Sequence, residues 1–318
     1  MTMKTNPTNF LYVEKYRPQT IDECILPASL KTTFKDMVAK GEPQNLLLSG
    51  TAGTGKTTVA KALCNEFGVD YIMINCSEDG NIDTLRTKIR QFASTVSFEG
   101  DRKKVVILDE FDYSNAQSIQ PALRGAIEEF SNNCRFILTC NYKSRIIEPI
   151  HSRCTCIDFT IQQSDRTAIC MEMLKRCQFI LKNEGIKSDT VVLSKLIMKY
   201  FPDFRRVLNE LQRYSVSGTI DEGILVNVSD TEIKNLIGFM KGKDFGSVRK
   251  WVAVNVHLSH SDIFRKIYDG LFDTMSKASI PQAILIIGEY QYKSAFVADQ
   301  EINMVAFIVE LMLSCEFN

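Results

Sequence analysis

The first 160 residues alternate between two kinds of pattern. Short apolar runs at 45–48, 71–75, 104–109, 135–141 and 154–159 have the length and composition of strands. Between them, at 55–67, 81–97, 115–130 and 146–151, helices are expected. In 81–97 the apolar stripe is Ile82, Leu85, Ile89, Phe92, Ala93 and Val96, with Arg86 and Arg90 four apart beside it. Strand–helix alternation of this kind predicts a parallel sheet with helices on both faces. Ligands of such sheets gather at the carboxyl ends of the strands.

After Phe159 the strand pattern stops. Ser164 is placed to cap a helix running to 183, with Gly185 ending it. Further helices are expected at 189–200 and 203–215, the second capped by Asp203 after the break at Pro202. Residues 217–228 read as a linker, and 230–241, 244–255, 261–277, 280–290 and 296–317 as helices. The expected organisation is an α/β domain over 1–160, a small helical domain over 161–228 and an all-helical domain over 229–318.

Composition narrows the picture without supplying chemistry. No run approaches the ~20 apolar residues of a membrane span, and the stretch from Met1 to Asn9 lacks the apolar centre of a signal peptide. Ten cysteines are scattered with no Cys-x-x-Cys pair and only three histidines accompany them. That disfavours a zinc module and points to reduced, buried thiols in the cytoplasm. Lys+Arg and Asp+Glu balance at 38 each, and by region run 19 against 19, 10 against 8, and 9 against 11. No region is basic overall, so any nucleic-acid binding has to come from a local stripe.

The chemistry sits in short motifs. Residues 50–57, GTAGTGKT, lie between an apolar strand and a helix. They fit the phosphate loop G-x-x-x-x-G-K-[ST], in which backbone N–H groups and the helix dipole hold phosphate oxygens. Lys56 would reach the terminal phosphates and Thr57 would hold Mg²⁺. About 50 residues on, Val105-Val106-Ile107-Leu108 ends in Asp109 and Glu110. Asp109 suits the metal, and Glu110 suits polarising a water for attack on the γ-phosphate. Asn141 closes the next apolar strand and would point at the same water if the two strands are neighbours. Arg153, at a helix–strand junction, is remote from the loop in chain order and would serve a neighbouring chain's nucleotide. Arg205, in the first turn of its helix, opposes the dipole and suits an anion in cis.

Taken together, Val13-Glu14-Lys15-Tyr16-Arg17-Pro18, GTAGTGKT, VVILDE, Asn141, Ser152-Arg153-Cys154 and Phe204-Arg205-Arg206 resemble the clamp-loader branch of the AAA+ ATPases. The stretches YRPQTIDECILPA (16–28) and FPDFRRVLNEL (201–211) resemble its T-even phage members. The resemblance implies an AAA+ core, a helical lid and a helical collar, with ATP and Mg²⁺ as cofactors. Val13, Glu14, Lys15, Tyr16 and Ile25 would line the adenine site, and Gly53, Thr54, Gly55, Lys56, Thr57 and Thr58 would hold the phosphates. Arg205 would be the lid's sensing arginine and Arg153 a finger acting in trans. Arg86 and Arg90, with Lys88, would touch phosphates of a duplex. The implied partners are copies of the chain itself, a distinct small clamp-loader subunit, the sliding clamp and primer–template DNA, with no membrane.

Pro121 departs from the family's central helix and would kink or delay it, which affects the coupling expected of Gln120 and Arg124. Two other classes compete. Another AAA+ DNA motor, a helicase loader or branch-migration helicase, would call for a C-terminal winged helix, yet no β-hairpin pattern occurs after 229. A P-loop phosphotransferase fits poorly with Glu110 and Arg153.

Overall fold

The computed structural model describes residues 10–78, 82–94, 103–216, 218–220, 228–255 and 260–317. The chain divides into two compact units, Met1–Leu225 and Val226–Asn318. The first contains a five-stranded sheet of β1 (Leu46–Ser49), β2 (Tyr71–Asn75), β3 (Lys104–Asp109), β4 (Cys134–Cys140) and β5 (Thr155–Asp158). Their order is β2-β3-β4-β1-β5 and every pairing is parallel.

Period-two side-chain alternation explains why both faces are covered. Leu46, Leu48, Val105, Ile107, Ile137 and Ile157 face α2 (Ala28–Ala39) and α3 (Lys56–Phe67). Leu47, Val106, Leu108, Phe136 and Leu138 face α4 (Ile82–Ser94), α5 (Ile119–Glu129) and α6 (Glu148–His151). The strand order reverses between β1 and β4: the chain leaves β1 towards the β2 edge and leaves β4 towards β5. The crevice at their carboxyl ends is the switch point where such sheets bind ligands.

Helix α2 was not expected from the sequence; its polar composition, ASLKTTFKDMVA, leaves only Phe34 fully buried. Helix α5 starts at Ile119 rather than near 115, with Pro121 in the first turn. There the missing N–H has no intrahelical partner to lose, so the proline delays the helix without bending it. Part of the 81–97 expectation, residues 81 and 95–97, lies outside the described residues.

The remainder of the first unit is α7 (Arg166–Asn183), α8 (Thr190–Tyr200) and α9 (Phe204–Ser215) around Met173, Leu193, Leu196, Val207 and Leu211. Asp165, not Ser164, precedes α7, and its side chain makes no capping hydrogen bond. Asp203 does cap α9, accepting from the Arg206 N–H at 3.0 Å. Strand pairing does not end at Phe159 either. Lys187–Ser188 pairs in parallel with Thr219–Ile220, inside the stretch read as a linker. Asp203→Ala removes a side-chain cap and is expected to destabilise this unit by ~1 kcal/mol. Thermal unfolding should register that as a Tm drop of about 2–4 °C; an unchanged Tm would show the cap to be redundant.

The second unit is helical: α10 (Val228–Lys241), α11 (Phe245–Val254), α12 (His260–Asp269), α13 (Leu271–Thr274), α14 (Ile280–Lys293) and α15 (Gln300–Ser314). Leu236, Trp251, Phe264, Phe307, Ile308 and Leu311 form its own core. The single helix expected over 261–277 is broken at Gly270, which stands between α12 and α13. The apolar periodicity runs through the break, because both pieces contribute to the same core.

Candidate nucleotide-binding site

The switch-point crevice opens into a pocket lined by the 52–59 loop and helix start, by Asp109, Glu110, Thr139 and Asn141 from β3 and β4, and by Val13, Tyr16, Ile25, Arg176 and Arg205. The loop geometry depends on glycine at two points. Gly53 has φ 77°, and a Cβ there would overlap Asp203 Oδ1 at 1.9 Å. Gly50 has φ 146°, with the Phe159 Cβ 2.9 Å from where its own would lie. Neither conformation nor spacing tolerates a side chain. Gly53 also ties the loop to α9, because its carbonyl accepts from the Phe204 N–H at 3.2 Å.

Lys56 is nearly buried. Its ammonium donates to the carbonyls of Gly50 at 2.7 Å and Thr51 at 2.8 Å and to Asn141 Oδ1 at 2.9 Å. Burial pushes it down from the usual lysine range, with the charges of Cys140, Asp109 and Asp112 opposing. Asn141 therefore reaches the loop across the β1–β4 crevice. Thr57 and Thr139 both donate to Asp109 Oδ1, at 2.7 and 2.6 Å. Thr139 accepts in turn from the Glu110 N–H at 3.1 Å. Glu110 has φ 54°, a left-handed conformation that costs a non-glycine residue about 1–2 kcal/mol. Strain of this sort persists where surrounding bonds over-determine it, and it clusters at functional sites.

Asp112 Oδ2 accepts from the N–H groups of Asn141 at 3.2 Å and Tyr142 at 3.1 Å, and so anchors the exit of β4. Cys140 also borders the pocket, but burial pushes its thiol up to about 12, which leaves it unreactive.

At the opposite wall the short helix α1 (Tyr12–Lys15) decides which residues face the pocket. Val13 and Tyr16, three apart, share its inner face with Ile25 nearby. Glu14 and Lys15 are not brought in. The Glu14 carboxylate is held by Arg17, which also donates to Thr58 Oγ1 at 3.1 Å, and Lys15 pairs with Glu184 at 2.6 Å. The Tyr16 hydroxyl donates to the same Glu184 at 2.5 Å. Burial first, and that carboxylate second, push its phenol well above the tyrosine range. Arg176 of α7 donates to the carbonyls of Tyr16 and Glu23. The N-terminal segment is thus bonded to both the phosphate-loop helix and the α7–α9 bundle. Arg205 lines the pocket from α9 with an exposed side chain.

Arg153 is elsewhere. It precedes β5, whose first residue, Thr155, is in register with Leu46 at the start of β1. The phosphate loop follows the other end of β1. Four strand residues at ~3.3 Å each put the two roughly 13 Å apart along the sheet axis. The Arg153 guanidinium pairs with Glu128 on α5 at 2.5 Å and donates to the Pro149 carbonyl at 2.9 Å. Arg86, Lys88 and Arg90 are exposed on α4, and Arg90 approaches Glu129 at 3.5 Å.

Sequence reasoning left out Arg17, Thr139, Asp112 and Arg176. Arg17 stood in the quoted motif and Asp112 three residues after Asp109, so both were within sight. Thr139 and Arg176 carry no local signal, because their partners are distant in sequence.

Comparison with known proteins gives the family. Residues 46–163 match the ATPase family associated with various cellular activities (AAA). Residues 165–226 match the AAA+ ATPase lid domain of the sliding-clamp-loader large subunit. The chain is 38% identical to the sliding-clamp-loader large subunit of Enterobacteria phage T4, with 98% of each chain covered. It is 33% identical to the replication factor C small subunit of Haloarcula marismortui, over 95% of this chain and 94% of that one. A solved structure of Thermotoga maritima RuvB, a Holliday junction branch migration motor, superposes with a TM-score of 0.54 over 76% of this chain and 86% of that one. At 15% identity it shares the fold alone. A phosphate loop at the β1–β4 switch point, acidic residues ending β3, a polar residue ending β4 and a helical lid, in a chain with full-length relatives of this kind, place the protein in the sliding-clamp-loader family of AAA ATPases.

Proposed function

We propose that this chain is the ATP-hydrolysing subunit of a sliding-clamp loader, opening a processivity clamp and releasing it closed on primer–template DNA. One observation carries the reading. Lys56, Asp109, Glu110, Asn141 and Arg205 converge on one pocket, while Arg153 sits at the opposite end of the sheet. A chain built this way has the machinery for its own nucleotide and a spare arginine for another. Head-to-tail assembly of copies satisfies both, since each interface then completes one site.

ATP fits the pocket: Val13, Tyr16 and Ile25 offer an apolar slot for the base, and the 53–58 loop offers N–H groups to the phosphates. Mg²⁺ fits the Thr57 hydroxyl and Asp109 carboxylate, which stand 2.7 Å apart. One or two protein oxygens plus phosphates and waters suit this ion. When bound, it would neutralise charge on the β- and γ-phosphates. Glu110 accepts the proton of the attacking water, Asn141 orients that water beside Lys56, and Arg205 meets the γ-phosphate from the lid. Arg153 of the neighbour stabilises the charge that develops on the transferred phosphoryl group. Loss of the γ-phosphate frees Arg205 and Arg153 together, so the lid and the interface loosen in one event. The helical unit after residue 226 serves as the collar that keeps the copies together, with a distinct small subunit completing the assembly.

The exposed Arg86 and Arg90, with Lys88, supply charge to the phosphates of the duplex. In a complex reconstituted with clamp and primer–template DNA, Arg86→Ala/Arg90→Ala is expected to weaken DNA-stimulated ATPase while leaving the DNA-free rate intact. The log–log salt slope of DNA binding should fall by about 1 for each phosphate that is no longer neutralised. An unchanged salt slope would remove this helix from the DNA path. Absence of any stimulation by clamp and DNA in the unmutated complex would overturn the clamp-loader reading.

A further inference from the structure

Two of the three groups that end β3 and β4 as catalytic candidates meet at one hydroxyl. Thr139 Oγ1 gives its proton to Asp109 Oδ1 at 2.6 Å and takes the Glu110 N–H at 3.1 Å. A hydroxyl has one donor and two acceptor lone pairs, so both bonds are made at once by the same oxygen. Thr139 is buried on β4, one residue from the strand's end and two before Asn141. Asp112 holds that same exit through the Asn141 and Tyr142 N–H groups. The β4 exit is therefore pinned to the β3 exit at two points, and Thr139 is the one that touches both the Asp109 carboxylate and the Glu110 backbone.

From this geometry we infer that Thr139 is a positioning residue for hydrolysis, which sets the Asp109 carboxylate and the left-handed Glu110 backbone relative to each other. The inference rests on the ATPase reading above and deepens it. Thr57 also donates to Asp109 Oδ1. Thr57 belongs to the phosphate-loop helix, so that bond answers to the loop and its ligand. The Thr139 bond belongs to the sheet and stays fixed whatever the loop does. Glu110 depends on it more directly. Its N–H bond to Thr139 and its carbonyl bond from the Tyr113 N–H at 3.0 Å are what hold φ at 54°. Without the hydroxyl, the Glu110 N–H is left without its acceptor in the strand exit, and the peptide is free to turn towards ordinary φ. The carboxylate then leaves the line of attack while the loop, the base slot and Arg205 stay as they are.

The consequence is a loss of turnover without loss of binding. A misplacement of about 1 Å in a reacting group costs on the order of 10²-fold in rate. The test uses four residues at position 139 in the assembled complex with clamp and DNA: Thr, Thr139→Ser, Thr139→Val and Thr139→Ala. Val keeps the shape of Thr without its hydroxyl, and Ala differs from Ser by the oxygen alone. The expected result is that kcat follows the oxygen: Ser within about threefold of Thr, and Val and Ala lower by about 10- to 100-fold. Nucleotide affinity, read by binding of a fluorescent ATP analogue, should stay within about twofold throughout, because the loop and base slot are unchanged. If kcat follows the methyl group, so that Val equals Thr and Ser equals Ala, or if all four turn over alike, the inference is overturned. Should the Val variant fail to fold, the Ser and Ala pair decides alone. An unmutated complex that does not hydrolyse ATP would instead refute the ATPase reading, which keeps the two failures apart.

Discussion

Glu110→Gln is expected to leave ATP bound and to lower its hydrolysis by about 10²- to 10⁴-fold. The substitution keeps the size of the side chain and its capacity to hydrogen-bond a water, and removes only the ability to take a proton. Nothing that lines the base slot or the phosphate loop changes. Val13, Ile25 and Gly53 through Thr58, proposed to hold the nucleotide, line the same pocket and are untouched. Binding of a fluorescent ATP analogue should therefore match the unmutated complex while phosphate release falls. Assembly and clamp binding in the presence of ATP should persist, since in the proposed cycle these need the nucleotide in place and not its cleavage. A kcat within about threefold of the unmutated complex would assign the base to another group. The Glu110 N–H that donates to the Thr139 hydroxyl belongs to the backbone, so that bond survives the change and the effect isolates the carboxylate.

If Arg153 acts in trans as proposed, Arg153→Ala is expected to suppress DNA-stimulated turnover of the assembled complex by about 10³-fold or more, the scale of arginine fingers. Its ion pair with Glu128 is exposed and contributes little to stability, so the variant should fold and assemble. Arg153 does lower the Glu128 carboxyl, through a hydrogen bond first and charge second, but the carboxylate stays solvated without it. Arg153→Lys keeps the charge and loses the planar fork, and should recover little of the rate. The decisive measurement mixes chains. Complexes made from Glu110→Gln chains alone, or from Arg153→Ala chains alone, have no complete site. In a mixture, an Arg153→Ala chain with its own Glu110 can sit beside a Glu110→Gln chain that still supplies Arg153. Turnover should reappear at that interface. If mixing restores nothing, Arg153 does not act across an interface, and the roughly 13 Å separation along the sheet must be closed some other way.

The elements that were legible share a physical basis. A buried parallel strand needs an unbroken apolar run, and a phosphate loop needs glycines before a helix. Both are local demands, so a strand at 45–48 (found one residue on, at Leu46–Ser49), the strand at 104–109 and the loop at 50–57 could be read directly. The Asp203 cap was legible for the same reason, since its acceptor and donor lie three residues apart. Helix α2 was not, because a surface helix with one fully buried side chain leaves little periodicity to read. The break at Gly270 was hidden by apolar spacing that continues across it. Ser164 had the chemistry of a cap but not the position, as α7 begins at Arg166 with Asp165 before it.

Residue types near one another in the chain were enough to expect a phosphate loop before a helix and acidic residues at the end of a later strand, and to say which relatives the chain would have. Only the tertiary fold could decide that Asn141 reaches Lys56 across the reversal between β4 and β1, that Glu14 and Lys15 pair with Arg17 and Glu184 and do not line the pocket, and that Thr139 joins Asp109 to Glu110. The difference is one of range. A motif records what a short stretch of backbone must satisfy by itself, whereas all of these bonds but Glu14–Arg17 join segments brought together by strand order and by the closing of α7–α9 onto the N-terminal segment, with partners up to 169 residues apart.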